Sequence, residues 1–245
     1  MSRVFRCDLH IHTCLSPCAD LDMYPRAIVS RAVAERLDMI AICDHNASEN
    51  VRHVLKVAEG QPLVVLSGME VTSSEEVHML ALFDDPGSLS KLQALVYDHL
   101  PGENDEDVFG CQAIVNEMDE VEGFNERLLI GATELTLLEL VDSVRGLGGL
   151  AIASHIDRES FSVIGQLGFI SDDTPFDALE VTRNMGIRGG RQRYPYLSSY
   201  AFIESSDAHV LDDIGRGRTM FRLKEGTIGE LRMAFAGQDG RCILD

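Results

Sequence analysis

Residues 7–20 read CDLHIHTCLSPCAD: two histidines one residue apart end an apolar run, and an aspartate follows eight residues after the second. Side chains at i and i+2 of an extended strand point the same way, so His10 and His12 can grip one cation together. The run VFRCDLHI therefore reads as a buried strand ending in paired imidazoles. Working outward, Pro25 sits near the first turn of a helix whose apolar stripe runs Ile28, Val29, Ala32, Val33 and Leu37. DMIAIC (38–43) is the next buried strand. A helical segment over 49–58 leads to the strand PLVVLS, and VHMLALF follows with His78, Leu80 and Leu82 on one face. Helices are expected at 88–99 and 134–147, then strand GLAIAS, a helical stretch near 160–167, strands DALEVT and AFIESS, and a last helix around 226–236.

Apolar strands separated by helices indicate a parallel sheet covered by helices, and about seven such units in one chain favour a β/α barrel over an open sheet. Polar chemistry then belongs at the rim where strands end. No internal repeat or linker tract interrupts the pattern, so residues 1–245 read as one domain. Residues 101–133 depart from it, with many acids around two short apolar runs. They read as an inserted hairpin, either a lid or dimer contact or a solvated excursion. The excursion is favoured, because charge runs face water.

The 245 residues are 45% apolar, enough for a sizeable core, and carry a formal net charge of −19. That charge opposes binding to long nucleic acid or an anionic membrane, both of which need neutralising Lys and Arg. No apolar run is long enough to span a bilayer and the N-terminus has no signal-peptide core, so a cytoplasmic location is expected. Cysteines 7, 14, 18, 43, 111 and 242 are irregularly spaced and read as reduced, structural thiols.

The unusual side chains cluster by position. His10 and His12 close the first strand, Asp44-His45 follow the second, Glu70 follows VVLSG, His78 lies in the next strand, His155 follows GLAIAS, and Asp207 and His209 follow FIESS. Six of the eight histidines thus fall at strand ends, while His53 and His99 fall in helices. A lone imidazole on an apolar strand is usually a hydrogen-bonded core residue; six at one rim point to metal. Nine candidate ligands, His10, His12, Asp20, His45, Glu70, His78, His155, Asp207 and His209, exceed what one ion uses, so two or three clustered ions are implied. Asp8 and Asp44 are placed to orient ligating imidazoles.

DLHIHT with the downstream Asp20, ICDHN, SGMEV, VHML, ASHID and SSDAH occur here in the order shown by the polymerase and histidinol phosphatase (PHP) superfamily, which the whole chain resembles, its small stand-alone hydrolases most of all. The resemblance implies a distorted seven-stranded (β/α) barrel with a trinuclear site. On it, His10, His12, Glu70 and Asp207 would hold one ion. Glu70 would bridge to a second held by His78 and His155, and Asp20, His45 and His209 would hold a third. The oxygen ligand Asp20 would shift preference from zinc toward manganese or iron.

Clustered dications lower the pKa of a bridging water and clamp phosphoryl oxygens during in-line attack, which makes hydrolysis of a small phosphate ester the expected reaction. Glu70, Asp207 and His155 are the expected catalytic centre. Arginines give bidentate contacts to phosphate; Arg158 is the first candidate, followed by Arg216 and by Arg183, with Arg188, Arg191 and Arg193 in what reads as a glycine-containing loop over 182–193. Three rival readings remain. An amidohydrolase-type barrel would commonly use a bridging lysine, but Lys56 and Lys91 fall in helices and Lys224 near the C-terminus. A noncatalytic metal module would have lost ligands. A 3′–5′ exonuclease on short oligonucleotides is compatible with the metal site but not favoured by the acidity.

Overall fold

The computed structural model describes residues 1–171 and 174–244. The chain opens with β1 (Arg3–Ile11), α1 (Pro25–Ala34), β2 (Met39–Ile42), α2 (Val51–Ala58), β3 (Val64–Thr72), β4 (His78–Phe83) and α3 (Pro86–Asp98). A short helix α4 (Glu106–Phe109) and the hairpin β5 (Ala113–Val115) and β6 (Val121–Phe124) follow. The second half runs α5 (Leu137–Gly146), β7 (Leu150–Ala153), α6 (Val163–Leu167), β8 (Ala178–Thr182), α7 (Gly186–Arg193), β9 (Phe202–Ser205), β10 (Thr219–Leu223), α8 (Ile228–Phe235) and β11 (Cys242–Leu244).

Seven strands, in the order β1-β2-β3-β4-β7-β8-β9, form a distorted barrel, with β10 and β11 added antiparallel outside β1. The ring closes at one rim only, where the His12 N–H donates to the Ala208 carbonyl at 3.0 Å and the Ala208 N–H to the His10 carbonyl at 3.3 Å. At the other end β10 wedges in: the Thr219 hydroxyl donates to the Glu204 carbonyl at 2.8 Å and accepts from its N–H at 2.7 Å. Leu9, Cys43, Leu66, Leu80, Leu82, Leu150, Ile152 and Ile203 pack in one interior cluster. The other faces of the strands, with Ile11, Ile40 and Ile42 among them, pack with Ile28, Val29 and Ala32 of α1 and with the other helices. No helix among the described residues is long and apolar enough to cross a membrane.

Three expectations change. The sheet is not wholly parallel, because β4 pairs antiparallel with both β3 and β7. Only residues 73–77 join β3 to β4, and a parallel crossover needs a dozen or more. Residues 186–193 are helix α7 rather than loop. Gly190 there serves packing: a Cβ on it would lie 2.8 Å from Val181 Cγ1 and 3.0 Å from Phe202 Cδ1, so the helix can approach the sheet only without a side chain. Finally, 101–133 does contain a hairpin, but it is no solvated excursion. The Asn50 side chain donates to the Ala113 carbonyl at 3.1 Å and accepts from the Val115 N–H at 3.0 Å. Gln112, fully buried, donates to the carbonyls of Asn125 at 2.6 Å and Arg127 at 2.7 Å.

The C-terminal edge is held by a bidentate ion pair. Arg241, 6% exposed, places Nη2 2.8 Å from Glu230 Oε1 and Nε 3.0 Å from Oε2. Those hydrogen bonds hold the Glu230 carboxyl down at about 2 against an ordinary 4.5, although burial pushes the other way. A carboxyl depressed in the fold contributes stability that is complete above its unfolded pKa and is lost as pH falls through its folded one. Glu230→Gln should therefore lower the melting temperature at neutral pH, with the gap to wild type closing between about 4.5 and about 2. Thermal melts across that range check it; a gap that stays constant down to the acid end would show that the pair is not its source.

Candidate metal centre

A β-bulge aims the first two ligand candidates inward. The β1–β2 register shifts between Asp8 and Ile11; Cys7 and Leu9 belong to the barrel interior, whereas Ile11 packs in the layer under the helices. An unbroken strand would put His10 and His12 on the outer face with the alternation begun at Cys7. The bulge lets them follow Leu9 to the inside. The remaining candidates arrive from strand ends: His45 after β2, Glu70 near the end of β3, His155 after β7, Asp207 and His209 after β9. His78 is the first residue of β4, and because that strand runs against its neighbours, its start lies on the same rim.

Glu70 is the hub. Its carboxylate lies 3.4 Å from His10 Nε2, 3.5 Å from His12 Nε2, 3.2 Å from His45 Nδ1, 3.2 Å from His78 Nδ1 and 3.2 Å from His155 Nε2. Asp207 Oδ1 is 3.1 Å from His12 Nε2 and 3.3 Å from His10 Nε2. Three sets of donor atoms each fall within 4.8 Å of one another: His10, His12, Glu70 and Asp207; His45, Glu70 and His78; His12, His45 and His209. The first matches the set implied by the resemblance. In the second, His45 stands where His155 was expected, though His155 remains in contact with Glu70, and in the third His12 stands where Asp20 was expected. Asp20 is the departure: it is exposed, its N–H donates to the His209 carbonyl at 2.9 Å, and among the described residues its carboxylate joins none of the three sets.

The imidazoles are oriented so that one nitrogen faces the cluster. His10 Nδ1 donates to Glu180 at 3.1 Å, His12 Nδ1 to the Ser16 hydroxyl at 3.0 Å, and His209 Nδ1 to the Asp207 carbonyl at 2.9 Å. These bonds assign the tautomers and leave each Nε2 with a lone pair. Asp44 acts through an intermediary: its Oδ1 accepts from Ser16 at 2.7 Å and from the Thr13 N–H at 2.7 Å. Asp8 does something else. It accepts from the N–H groups of Ser206 at 2.9 Å and Gly215 at 2.8 Å, fastening β1 to the loop that carries Asp207 and His209. Burial raises both acids to about 6. The unforeseen member is Glu180, a buried acid inside β8 that holds both His10 and the backbone N–H of His155, the latter at 3.1 Å.

The side chains present fit divalent metal. His45 Nδ1, His78 Nδ1, both nitrogens of His155 and Glu70 Oε1 are buried without a hydrogen-bond partner among the described residues. They lie close to one another yet misaligned for hydrogen bonding, as lone pairs converging on a shared cation are. Burial disfavours ionised Glu70, but the His78, His10 and His155 imidazoles beside it outweigh that, holding the carboxyl well below its ordinary value. Burial also opposes ionised Asp207, and His10 and His12 likewise prevail. Burial, reinforced by the charge of His209, pushes His12 down to about 4; burial and the His12 charge lower His45. Ionised carboxylates and neutral imidazoles are the ligating forms.

The centre opens into a chamber of about 190 Å³ whose wall also includes Cys18, Ile130, Phe161 and Arg158. Ile130 belongs to the 101–133 insertion. It is held there by Asn46, whose side chain donates to the carbonyls of Leu129 and Gly131, each at 2.8 Å. Asn46, His155, Phe161 and Asp207 all have positive φ, of 50°, 28°, 58° and 51°, and of these the His155 and Phe161 backbones are strained, since neither residue type adopts that region readily. Arg158 Nη2 lies 2.6 Å from Asp207 Oδ2. Arg183 and Arg216 both pair with Asp213, at 2.8 and 3.4 Å. Arg188, Arg191 and Arg193 lie on α7, and none of the three lines the chamber. All six cysteines are free.

Residues 198–237 match a family model described as PHP-associated. Over 114 residues the chain is 31% identical to the uncharacterized protein YqxK of Bacillus subtilis (strain 168), covering 44% of this chain and 29% of YqxK. Among solved structures, the lesion-specific endonuclease PfuEndoQ from Pyrococcus furiosus aligns over 98% of this chain and 58% of its own, with a TM-score of 0.71 at 20% identity. A proposed metal-dependent phosphoesterase from Bifidobacterium adolescentis aligns over 83% and 87%, with a TM-score of 0.57 at 20% identity. An amidohydrolase from Chromobacterium violaceum aligns over 86% and 90%, with a TM-score of 0.60 at 19% identity. The chain thus spans 29% of YqxK and 58% of the endonuclease chain. The chain shares its barrel fold with these structures, and over residues 198–237 it is similar to PHP-associated segments.

Proposed function

We propose that the chain is a metal-dependent phosphoesterase that hydrolyses a small phosphate ester. The observation that carries this reading is Glu70, a buried carboxylate ringed by five imidazole nitrogens within 3.5 Å, with a half-exposed arginine at the mouth of the same chamber. His10, His12, Glu70 and Asp207 would hold one ion, His45 and His78 would share Glu70 with a second, and His12, His45 and His209 offer a third position. Divalent ions bound there would neutralise phosphoryl charge and supply activated water, the chemistry that manganese, zinc or iron brings to such sites.

The protein's own groups do the rest. Glu180 and Ser16 hold His10 and His12 in the tautomers that present Nε2 to the cluster. Arg158 spends one donor on Asp207, and a guanidinium has five, so it can take a phosphoryl oxygen without releasing its anchor. Phe161 and Ile130 wall the chamber with apolar surface that strengthens those charge contacts. The amidohydrolase reading lacks its bridging lysine: Lys56 lies on α2, where it pairs with Glu117, and Lys91 on α3, while Lys224 follows β10. A noncatalytic module fits poorly with eight converging ligand candidates. The net charge of −19 opposes a long polyanion as substrate.

An aryl phosphate monoester and the matching diester should be turned over by protein loaded with manganese, and chelation should abolish turnover. Glu70→Gln should cost on the order of 10³-fold or more in kcat/KM. Metal-loaded protein inactive on both esters would overturn the reading. Glu180→Gln tests orientation separately, since loss of an outer hydrogen bond to a ligating histidine weakens metal binding by roughly 10- to 100-fold. Metal titration followed by circular dichroism checks it; unchanged affinity in a folded variant would remove Glu180 from that role. Replacing Arg158 with alanine should raise KM more than it lowers kcat, by about tenfold in KM, as a group that grips phosphate in ground and transition state alike would.

A further inference from the structure

Beside the metal chamber lies a second, larger cavity of about 420 Å³, separated from it by a wall that both share: His155, Arg158 and Asp207. Its size is that of a small-molecule site, but its surface is not the usual apolar one. Apart from the His155 imidazole, none of the described residues lining it has a ring or an aliphatic side chain. Hydrogen-bonding capacity is left over on every side. The hydroxyl of Ser205, a residue only 3% exposed, is buried without a partner. Asp157 accepts from the Thr182 N–H at 2.8 Å and hydroxyl at 2.6 Å, which leaves each of its oxygens a further lone pair. Arg183, fixed at 2.8 Å by Asp213, retains unspent donors, and Asn184 adds a carboxamide.

We infer that this annex is the subsite for the organic half of the substrate, and that it takes a hydroxyl-rich group: the substrate class is a sugar or polyol monophosphate. This rests on the phosphoesterase reading, with the phosphate in the metal chamber and Arg158 on the shared wall between the two halves. A base would find no aromatic platform other than the His155 imidazole, which belongs to the metal cluster, and both guanidiniums are paired with carboxylates, at Asp207 and Asp213, whereas stacking is what sequence-tolerant nucleotide sites rely on. A second phosphate would meet Asp157, Glu180, Asp207 and Asp213 against two arginines, a like-charge penalty. Neutral hydroxyls, which donate to carboxylates and accept from guanidinium and serine, suit the mixture. An orphaned buried hydroxyl is costly until a ligand bonds it.

The test pairs turnover with binding. Manganese-loaded protein is assayed on a hexose monophosphate, a nucleoside monophosphate, an aryl phosphate and a DNA duplex carrying an abasic site. Binding of the hexose monophosphate and of the nucleoside monophosphate to chelator-treated protein is measured by calorimetry. The hexose phosphate should exceed the nucleotide and the aryl ester by roughly tenfold or more in kcat/KM and should bind the metal-free protein more tightly than the nucleotide. Ser205→Ala and Asn184→Ala should each cut the ratio of hexose to aryl phosphate turnover by about fivefold. Asn184 is exposed, so its variant remains informative where the serine variant fails to fold. Preference for the nucleotide or the abasic duplex, or variants that leave the ratio unchanged, would overturn the annex while leaving the phosphoesterase reading intact. Tight hexose phosphate binding without hydrolysis of any ester would do the reverse.

Discussion

A carboxylate with 1% of its surface exposed, surrounded by imidazoles, is the constraint on which the rest of this structure turns. Burying an isolated anion is prohibitive unless opposite charge or hydrogen bonds compensate it. Glu70 has imidazole nitrogens on all sides, yet its Oε1 is left without an aligned hydrogen bond. A set of donors so arranged is stable when cations occupy the space between them. The barrel's elements can be understood by how they deliver those donors to one point.

Delivery needs two departures from a regular sheet. The bulge in β1 reverses which face the strand's end presents, so that an alternation begun with core residues Cys7 and Leu9 ends with histidines also pointing in. The reversed β4 brings a histidine to the rim from the start of a strand rather than its end. Closure of the ring depends on the same stretch: the backbone of His10 and His12 pairs with Ala208, next to Asp207. Site and barrel closure are therefore one structure, and Asp8, through Ser206 and Gly215, locks it from beneath.

Much of this was legible because ligands interrupt apolar runs, and such interruptions show in sequence. The seven units, the HxH pair, Glu70 and the Asp207–His209 pair could all be read this way. What could not be read had different causes. Asp20 has the right spacing but sits on an exposed turn, and spacing alone carries no direction. Glu180 is one acid in a strand of five, and a single acid in so short a run does not distinguish a buried partner of the site from a polar strand end. Residues 219–223, TMFRL, alternate in burial, and with Arg222 inside them and only five residues they carry a short, weak strand signal. The direction of β4 was recoverable from the length of its connection.

The insertion over 101–133 shows how a segment that buries few of its apolar side chains can still be held in place. With few hydrophobic side chains buried, it is attached through fully buried amides: Asn46, Asn50 and Gln112 bond the backbone of Ala113, Val115, Asn125, Arg127, Leu129 and Gly131. Neutral amides can do this in a strongly acidic protein because they offer donor and acceptor together and add no charge to be desolvated. Asn46 also follows His45 directly and accepts from the Thr72 N–H at 3.0 Å, two residues past Glu70. The wall that carries Ile130, the loop that carries His45 and the strand end that carries Glu70 are thus tied to one side chain, which couples the shape of the chamber to the placement of its donors.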